Sequence, residues 1–310
     1  MASLLPEQVK PGHAFKYTGV DFFGPFTVTY RRGTVKRWGC VFTCLTCRAV
    51  HLEVTHDMTA DSFLQAFRRF SARRGRPDVC FSDNGTNIVG GVRELRESLE
   101  ALDKKRITSD LARVSVEWRW NPPKASHMNG ATERMIRSVR AVLVSVIEEQ
   151  LLTDEQLTTV MCEAERVVND RPLTRATDDA TDDEVLTPSM LLLLRTNDCS
   201  APGEFSKSDM SAKKLWRQCQ YLADVFWRRW TFEYMTGLQQ RTKWTEPQVS
   251  MKLGDVVLVK DDSLPRGQWP LGRITDVNES RDGLARSVTV LCRGNKYLRP
   301  VTRLCFLEAD

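Results

Sequence analysis

The chain has 310 residues, of which 41% are hydrophobic and 27% are charged. This composition is typical of a soluble globular protein, and the length is sufficient for two or three domains. No apolar run approaches the ~20 residues of a membrane-spanning helix, and the N-terminus lacks a signal-peptide pattern, so we expect no membrane partner. The nine cysteines form an odd number, which favours reduced thiols in an intracellular compartment over a disulfide framework.

The formal charge of +5 is unevenly distributed along the chain. Residues 1–150 carry a net charge of +7 and residues 250–310 carry +2, whereas residues 151–249 carry −4. A basic excess at both ends suits a polyanionic partner such as a nucleic acid. A well-solvated surface would give the same pattern, so charge alone leaves both interpretations open.

The first 14 residues are predicted to form a tether, and the segments that follow have the β-branched and aromatic composition of strands. Three strands are predicted over residues 15–28, 37–47 and 49–55, which together form a meander. Thr59 then caps a helix that runs to about Arg74, because apolar residues recur on one face and Gly75 follows as a stop signal.

Strands and helices alternate in the next part of the chain. Short strands are predicted over residues 79–83 and 116–120, and helices over 88–114 and 131–149. A capping box from Thr153 to Gln156 begins a further helix, which ends near Asp170. This order predicts an α/β domain over residues 15–174, in which helices cover a mixed five-stranded sheet.

The remaining sequence changes character twice. Residues 175–249 are predicted to be an acidic linker, turn-rich over 175–209, followed by a helix from Ser211 to about Gln239. The tryptophans of that helix favour packing or oligomer contacts over base stacking. Residues 250–310 contain four or five short strands separated by turns, which predicts a small β-barrel of SH3-like size.

Three acidic residues occur where strands end or a helix begins. They are Asp21 in VDFFGPF, Asp83 in FSDNGTN and Glu133 in HMNGATERM. Three carboxylates that converge from strand ends and a helix can hold two Mg²⁺ ions for chemistry on phosphate. The alternative is that each acid is a helix cap or a surface charge, and Asp83 in D-N-G also suits a plain turn.

Arginines follow Glu133 along its predicted helix. Residues 133, 137 and 140 are spaced i, i+4 and i+7, so they lie on one helical face. Arg137 and Arg140 would then meet phosphates near the metals, contacts that position DNA without reading its sequence. A solvated basic face is the alternative interpretation.

A possible zinc motif, Cys44-x2-Cys47-x3-His51-x4-His56, has suitable residue types. Its segment is predicted to be two paired strands, however, and residues three apart on a strand point to opposite faces. We therefore favour buried core thiols, with His51 facing outwards or hydrogen-bonded. In the C-terminal strands, Trp269 and Tyr297 could either stack on bases or pack.

Several motifs together resemble the integrase of BEL/Pao-type LTR retrotransposons, within the retroviral integrase superfamily. The matching segments are YTGVDFFGPF (17–26), RAVHLE (48–53), RRFSARRGRP (68–77), FSDNGTN (81–87), HMNGATERMIRSVR (127–140), LGDVVLVK (253–260), WPLGRI (269–274) and YLRPVTRLC (297–305). The resemblance implies an RNase H-like core, an acid triad that binds two Mg²⁺ or Mn²⁺ ions, and 3′-end processing and strand transfer of element DNA. It also implies element ends and target DNA as partners, a homo-oligomer, no small-molecule cofactor, and a nuclear location when the protein acts on DNA.

The resemblance also assigns individual roles. Asp21 would bridge the two ions, Asp83 would hold one of them, and Glu133 would hold the other. Residues 122–130 look like the mobile loop that shapes the site in this family. DNA contacts are expected at the positions Asn84, Asn87, Lys124, His127, Arg134, Arg137, Arg140 and Arg299.

The sequence departs from the family pattern in two ways. The 49 residues between Asp83 and Glu133 are more than is typical of retroviral integrases. The zinc-binding N-terminal domain, with two His and then two Cys, is absent from the sequence, so we expect a truncated element product or a host gene derived from one. Two rival functions follow: a catalytically silent DNA-binding or assembly protein, and a ribonuclease H for RNA–DNA hybrids, against which the HMNGATE loop and the barrel argue.

Overall fold

The fold is given by a computed structural model. It describes residues 12–82, 97, 101–120, 130–147, 150–176, 184–196, 202–211, 214–238, 251–261, 264–279 and 285–307. The chain divides into two compact units. The first comprises Met1–Asn169 and Phe205–Phe226, and the second comprises Asp170–Glu204 and Trp227–Asp310.

The first unit is built on a mixed sheet, as the sequence predicts. Its strands are β1 (Tyr17–Tyr30), β2 (Gly33–Cys44), β3 (Val50–Thr55), β4 (Val79–Ser82), β5 (Glu117–Trp120) and β6 (Leu152–Thr153). Their order is β3-β2-β1-β4-β5, and β6 adds a short pairing to β1. The first three strands are antiparallel, whereas β4 and β5 run parallel to β1. Consequently β1 is the central strand, with β2 on one side and β4 on the other.

In the part of the chain that the structure describes, the helices beside this sheet include α1 (Ala60–Arg74), α2 (Lys104–Ala112), α3 (Gly130–Ile147) and α4 (Asp154–Asn169). The predicted start of α1 is confirmed, because the Thr59 side chain accepts a hydrogen bond from the Ser62 amide. Gly75 follows α1 with a φ of 89°, a conformation that favours glycine. The predicted capping box of α4 is also confirmed, since Thr153 and Gln156 exchange hydrogen bonds of 3.0 and 3.2 Å.

The helix predicted over residues 88–114 is interrupted at Leu102 and Asp103. The Asp103 side chain accepts a hydrogen bond from the Arg106 amide at 2.9 Å and so begins α2 as a separate helix. A short acidic side chain competes for backbone amides in this way, and it therefore favours a helix start over a helix interior. Residues 88–96 and 98–100 of that prediction lie outside the described residues.

An aromatic layer fills the space between the sheet and α1. Phe42 of β2 stacks on Phe70 of α1 with the ring centroids 4.2 Å apart, and both rings are fully buried. Phe63 and Phe67 extend the same layer along α1. Burial of these large rings supplies much of the hydrophobic stabilisation of the first unit and fixes α1 on the sheet.

The chain beyond α4 contains several short elements. They are β7 (Thr174–Arg175), β8 (Val185–Leu186), α5 (Pro188–Leu193) and a 3₁₀ helix (Lys207–Ser211). Strands β7 and β8 form an antiparallel pair, and Thr187 caps α5. These elements lie within the stretch that the sequence predicts as an acidic linker. The predicted helix after it is α6 (Leu215–Leu238), which contributes residues to both units.

The second unit contains a separate antiparallel sheet near the C-terminus. Its strands are β9 (Val256–Val259), β10 (Leu271–Glu279), β11 (Ala285–Cys292), β12 (Asn295–Pro300) and β13 (Leu304–Phe306). Their order is β12-β11-β10-β9-β13, with a 3₁₀ helix (Val301–Arg303) just before β13. The five strands agree with the four or five predicted. Their core is a cluster that includes Val257, Ile274, Val288 and Leu304. Among the described residues, no helix is long and apolar enough to cross a membrane.

Candidate active site

The first predicted acid, Asp21, lies on the central strand. It pairs with Val41 of β2, and the residue before it, Val20, pairs with Ser82, the last residue of β4. The Asp21 side chain is 38% exposed, so a carboxylate in the middle of a long strand remains accessible to solvent. Asp83 follows Ser82 directly in the sequence and lies outside the described residues.

Helix α3 is the second element of the site. Arg140 of α3 forms an ion pair with Asp21, through its Nη1 and the Asp21 Oδ2. The same Nη1 lies 3.5 Å from the carbonyl oxygen of Phe22. The other Asp21 oxygen, Oδ1, accepts a hydrogen bond of 2.8 Å from the Phe22 amide. The helix face that carries Arg140 is therefore directed at the exposed carboxylate of β1.

Glu133 lies in the first turn of α3, and only its backbone belongs to the described part of the chain. Residues 133 and 140 are seven positions apart, so they occupy the same face of the helix. Arg137 lies between them and is exposed. The backbone of Arg134 is helical, and its side chain is not among the described parts of the chain. The other predicted DNA-contact residues of this region lie outside the described residues: Asn84, Asn87, Lys124 and His127.

The sheet beside Asp21 is apolar. Burial, and then the charge of Asp21, raise the pKa of the Cys40 thiol of β2, and burial raises the pKa of the Cys80 thiol of β4. Both thiols therefore stay neutral beside the Asp21 carboxylate. Its hard oxygen donors suit Mg²⁺ or Mn²⁺. Among the described residues no three His, Cys, Asp or Glu side chains form a metal-binding group.

The possible zinc motif does not form a metal site in the described residues. Cys44 is fully buried, and its Sγ lies 3.1 Å from the Phe15 amide and 3.4 Å from the Cys47 amide. The favoured interpretation of core thiols is confirmed for Cys44. His51 is 1% exposed and hydrogen-bonded, so the alternative in which it faces outwards is wrong.

His51 belongs to a largely buried polar cluster that joins β3, α1 and α4. Its Nε2 lies 3.1 Å from Glu53 and its Nδ1 lies 3.2 Å from Glu165 of α4, while Arg74 Nε is 3.4 Å from Nδ1. Arg69 and Arg73 of α1 pair with Glu53, and Arg74 pairs with Glu165. We call these six residues the His51 cluster. Its members are separated by up to 114 positions in sequence, and no local spacing indicates their contact.

Two opposing effects act on His51 within this cluster. Burial lowers its pKa, while the hydrogen bond and charge of Glu165 act to raise it, and the net shift is downwards. Two neighbouring carboxylates alone would favour the imidazolium. The three arginines already offset the charge of those carboxylates, so burial decides the direction of the shift and the neutral ring fits the cluster better.

In the C-terminal sheet, the Arg299 guanidinium lies 5.3 Å from the ring centroid of Tyr297, and Tyr297 is 43% exposed. This cation–aromatic pair lies on the edge strand β12. Trp269 instead packs against Trp227 and Trp230 of α6, at centroid distances of 5.0 and 5.9 Å. Of the two sequence alternatives for Trp269, packing is therefore the correct one.

Comparisons with known proteins give matches to a family model and to solved structures. Residues 214–307 match a family model described as a family of unknown function, DUF5641, a segment that includes α6 and the C-terminal sheet. In structure, the protein is similar to a chain of the simian T-cell lymphotropic virus intasome in complex with the PP2A regulatory subunit B56 gamma. The match has a TM-score of 0.36 and 12% identity, and it covers 99% of this chain and 84% of that one. No curated protein matches the chain.

Proposed function

We propose that this protein is an integrase-type polynucleotidyl transferase that carries out metal-dependent 3′-end processing and strand transfer of retrotransposon DNA. One observation carries the proposal: Val20 of β1 and Ser82 of β4 are paired in parallel register. Asp21 and Asp83 each follow directly in the sequence, so we infer that Asp83, just after the end of β4, lies beside Asp21 of the adjacent central strand. The face of α3 that includes position 133 meets the same place through Arg140.

In this proposal Asp21, Asp83 and Glu133 hold two Mg²⁺ or Mn²⁺ ions. Such ions activate an oxygen nucleophile and stabilise the leaving 3′ oxygen on the other side of the phosphorus. The protein's own contribution is to fix the three carboxylates on a rigid strand, its neighbour and a packed helix. Water is the nucleophile in processing and a DNA 3′-hydroxyl in strand transfer, so no covalent intermediate with the protein is required.

DNA would be held by basic and polar residues around Asp21 and on the second unit. Arg137, exposed on α3, and Arg140 would contact phosphates, together with Arg134, Lys124, His127, Asn84 and Asn87. Arg299 and Tyr297 offer a similar contact on the C-terminal sheet, which we assign to the SH3-like class.

The proposed domains are the catalytic core at 15–174, the linker and helical region at 175–249 and the barrel at 250–310. Joining two DNA ends requires a homo-oligomer, and acting on chromosomal DNA requires access to the nucleus.

A disintegration or strand-transfer assay with Mn²⁺ tests this function by comparing the native chain with Asp83→Asn. We expect labelled joined product from the native chain and none from the variant. Equal product from both would contradict the catalytic proposal. Retained DNA binding in both proteins without product would identify a silent DNA-binding or assembly protein, and cleavage of an RNA–DNA hybrid would identify a ribonuclease H.

A further inference from the structure

Arg140 combines two properties that conflict at a metal site. It is paired with Asp21 Oδ2, the carboxylate oxygen that does not accept the Phe22 amide. In the proposed function the same carboxylate is a cation ligand. A guanidinium and a divalent cation repel each other strongly when both approach one carboxylate at a few Å. The pair with Arg140 therefore competes with coordination of a cation by Oδ2 of Asp21.

The ion pair between Arg140 and Asp21 lies where either partner can be replaced by water or by another ligand. The Arg140 side chain is 27% exposed and that of Asp21 is 38% exposed, so water can replace either partner without leaving a buried charge uncompensated. Arg140 also reaches the Phe22 carbonyl at 3.5 Å, a long and weak hydrogen bond. By contrast, Arg37 on β2 is almost buried and holds Asp154 through two hydrogen bonds of 2.7 and 3.0 Å.

We propose that Arg140 is a positioning residue that holds the Asp21 carboxylate in the absence of a cation and is released to bind DNA phosphate when a cation takes its place. This inference rests on the proposed function. It makes metal binding and DNA binding cooperative. The cation must first displace the guanidinium, and the displaced guanidinium then becomes available to a phosphate beside the same carboxylate.

Two quantitative consequences follow. Because part of the protein is held in the paired state, the apparent metal affinity is reduced by the fraction that is competent to bind. A half-exposed ion pair of this kind corresponds to about a fivefold reduction. By linkage, bound metal raises the affinity for DNA by the same factor by which DNA raises the affinity for metal.

The test measures Mn²⁺ binding by titration calorimetry, without DNA, for the native chain, Arg140→Gln, Arg137→Gln and Asp21→Asn. Arg137→Gln is the matched control, because it removes one arginine from the same helix one turn earlier. We expect Arg140→Gln to bind Mn²⁺ about fivefold more tightly. Arg137→Gln should bind like the native chain, and Asp21→Asn should lose binding. Thermal unfolding of each variant establishes that it is folded.

A second measurement compares DNA affinity in Ca²⁺ and in EDTA, since a merely structural role for Arg140 would not change their ratio. The native chain and Arg137→Gln should bind DNA more tightly in Ca²⁺ by a similar ratio, although the variant binds more weakly in both. In Arg140→Gln that ratio should fall towards one.

The outcomes separate this inference from the proposed function. Mn²⁺ binding that Asp21→Asn abolishes, together with equal affinities in Arg140→Gln and Arg137→Gln, would overturn the role of Arg140 alone. Weaker Mn²⁺ binding in a folded Arg140→Gln would also overturn it. Absence of Asp21-dependent Mn²⁺ binding in the native chain would overturn the metal-dependent function itself.

Discussion

Two groups of carboxylates and arginines lie at the sheet of the first unit, and they differ in how far their carboxylates are exposed to solvent. In the His51 cluster, the Glu53 side chain is 5% exposed and accepts from Arg69, Arg73 and His51. At the candidate site, the Asp21 side chain is 38% exposed, and its charge is met by Arg140 across a half-exposed pair. The two carboxylates of the first group are shielded from ligands, although Arg69 and Arg73 are 45% and 51% exposed, whereas Asp21 is open to solvent.

This is the difference we expect between structural carboxylates and the carboxylate of the proposed metal site. Breaking a buried ion pair leaves an uncompensated charge at a cost of several kcal/mol, so the protein cannot release Glu53 or Glu165 during a reaction. A partly exposed pair costs less to break, so we expect that Asp21 can exchange its partner for a cation. We therefore expect substitutions at Asp21 to lower activity while they leave the free energy of unfolding nearly unchanged. Substitutions in the His51 cluster should lower the free energy of unfolding.

The largest expected effect is the loss of activity in Asp21→Asn. The variant keeps the shape of the side chain but loses the charge that a cation requires, so Mn²⁺-dependent strand transfer should fall by at least about 10³-fold, as for other groups that stabilise transition-state charge. Its urea denaturation midpoint should stay close to that of the native chain. A midpoint that falls strongly together with activity would show that Asp21 is structural, and the contrast with the His51 cluster would disappear.

Glu165→Gln should show the opposite behaviour. Glu165 accepts from the Leu52 amide at 2.8 Å, pairs with Arg74 and lies beside His51, and its side chain is 12% exposed. Loss of its charge leaves Arg74 poorly compensated, which should lower the free energy of unfolding by about 3 kcal/mol. The control is Glu155→Gln, an exposed acid in the first turn of the same helix, for which we expect less than about 1 kcal/mol. Urea denaturation that ranks the two variants equally would contradict the prediction.

The pH dependence of stability tests the protonation of His51. Burial lowers the pKa of His51 in the folded state. Below about pH 6.5, His51 therefore binds a proton in the unfolded chain but not in the native state. Stability should therefore fall as the pH drops from about 7 to 5, with a slope of at most about 1.4 kcal/mol per pH unit from this group. Glu165, whose pKa is also lowered in the folded state, adds its loss at lower pH, below about 4.5.

The variant His51→Gln removes this titration while it retains a donor for Glu53. Its free energy of unfolding should vary less between pH 7 and 5 than that of the native chain, whereas the exposed control His56→Gln should reproduce the native slope. A native chain that gains stability on acidification over this range would mean that the two carboxylates hold His51 as an imidazolium.

Local patterns in the sequence predict much of this fold. The cap at Thr59, the stop at Gly75 and the Thr153–Gln156 capping box depend on residues within four positions of one another, and all three occur as expected. The break before α2 was not predicted, because the apolar spacing continues through Asp103 and only the capping hydrogen bond reveals the new start. Strand β6 has two residues, too few for any periodic signal.

The candidate site was predictable only in part, for a different reason. The residue types and their strand or helix contexts identify Asp21, and the seven-residue step from Glu133 places position 140 on the same face of the helix. The pairing of Asp21 with Arg140 spans 119 positions and depends on how α3 docks against β1, which no local pattern encodes. The same applies to His51 and Glu165, which are joined only when α4 packs against β3.

The smallest expected effect is that of Arg106→Gln, which breaks an exposed ion pair. That pair, Arg106–Asp61, has the same bidentate geometry as the less exposed pair Arg37–Asp154. Arg106 contacts Asp61 at 2.6 and 3.2 Å, with side chains 48% and 64% exposed. Arg37 contacts Asp154 at 2.7 and 3.0 Å, with side chains 9% and 35% exposed. If burial rather than hydrogen-bond geometry decides which charges are structural, Arg106→Gln should leave the urea midpoint unchanged within error. Arg37→Gln should then cost about 2 kcal/mol, and equal losses in the two variants would mean that the exposure of Asp21 does not distinguish it from the His51 cluster.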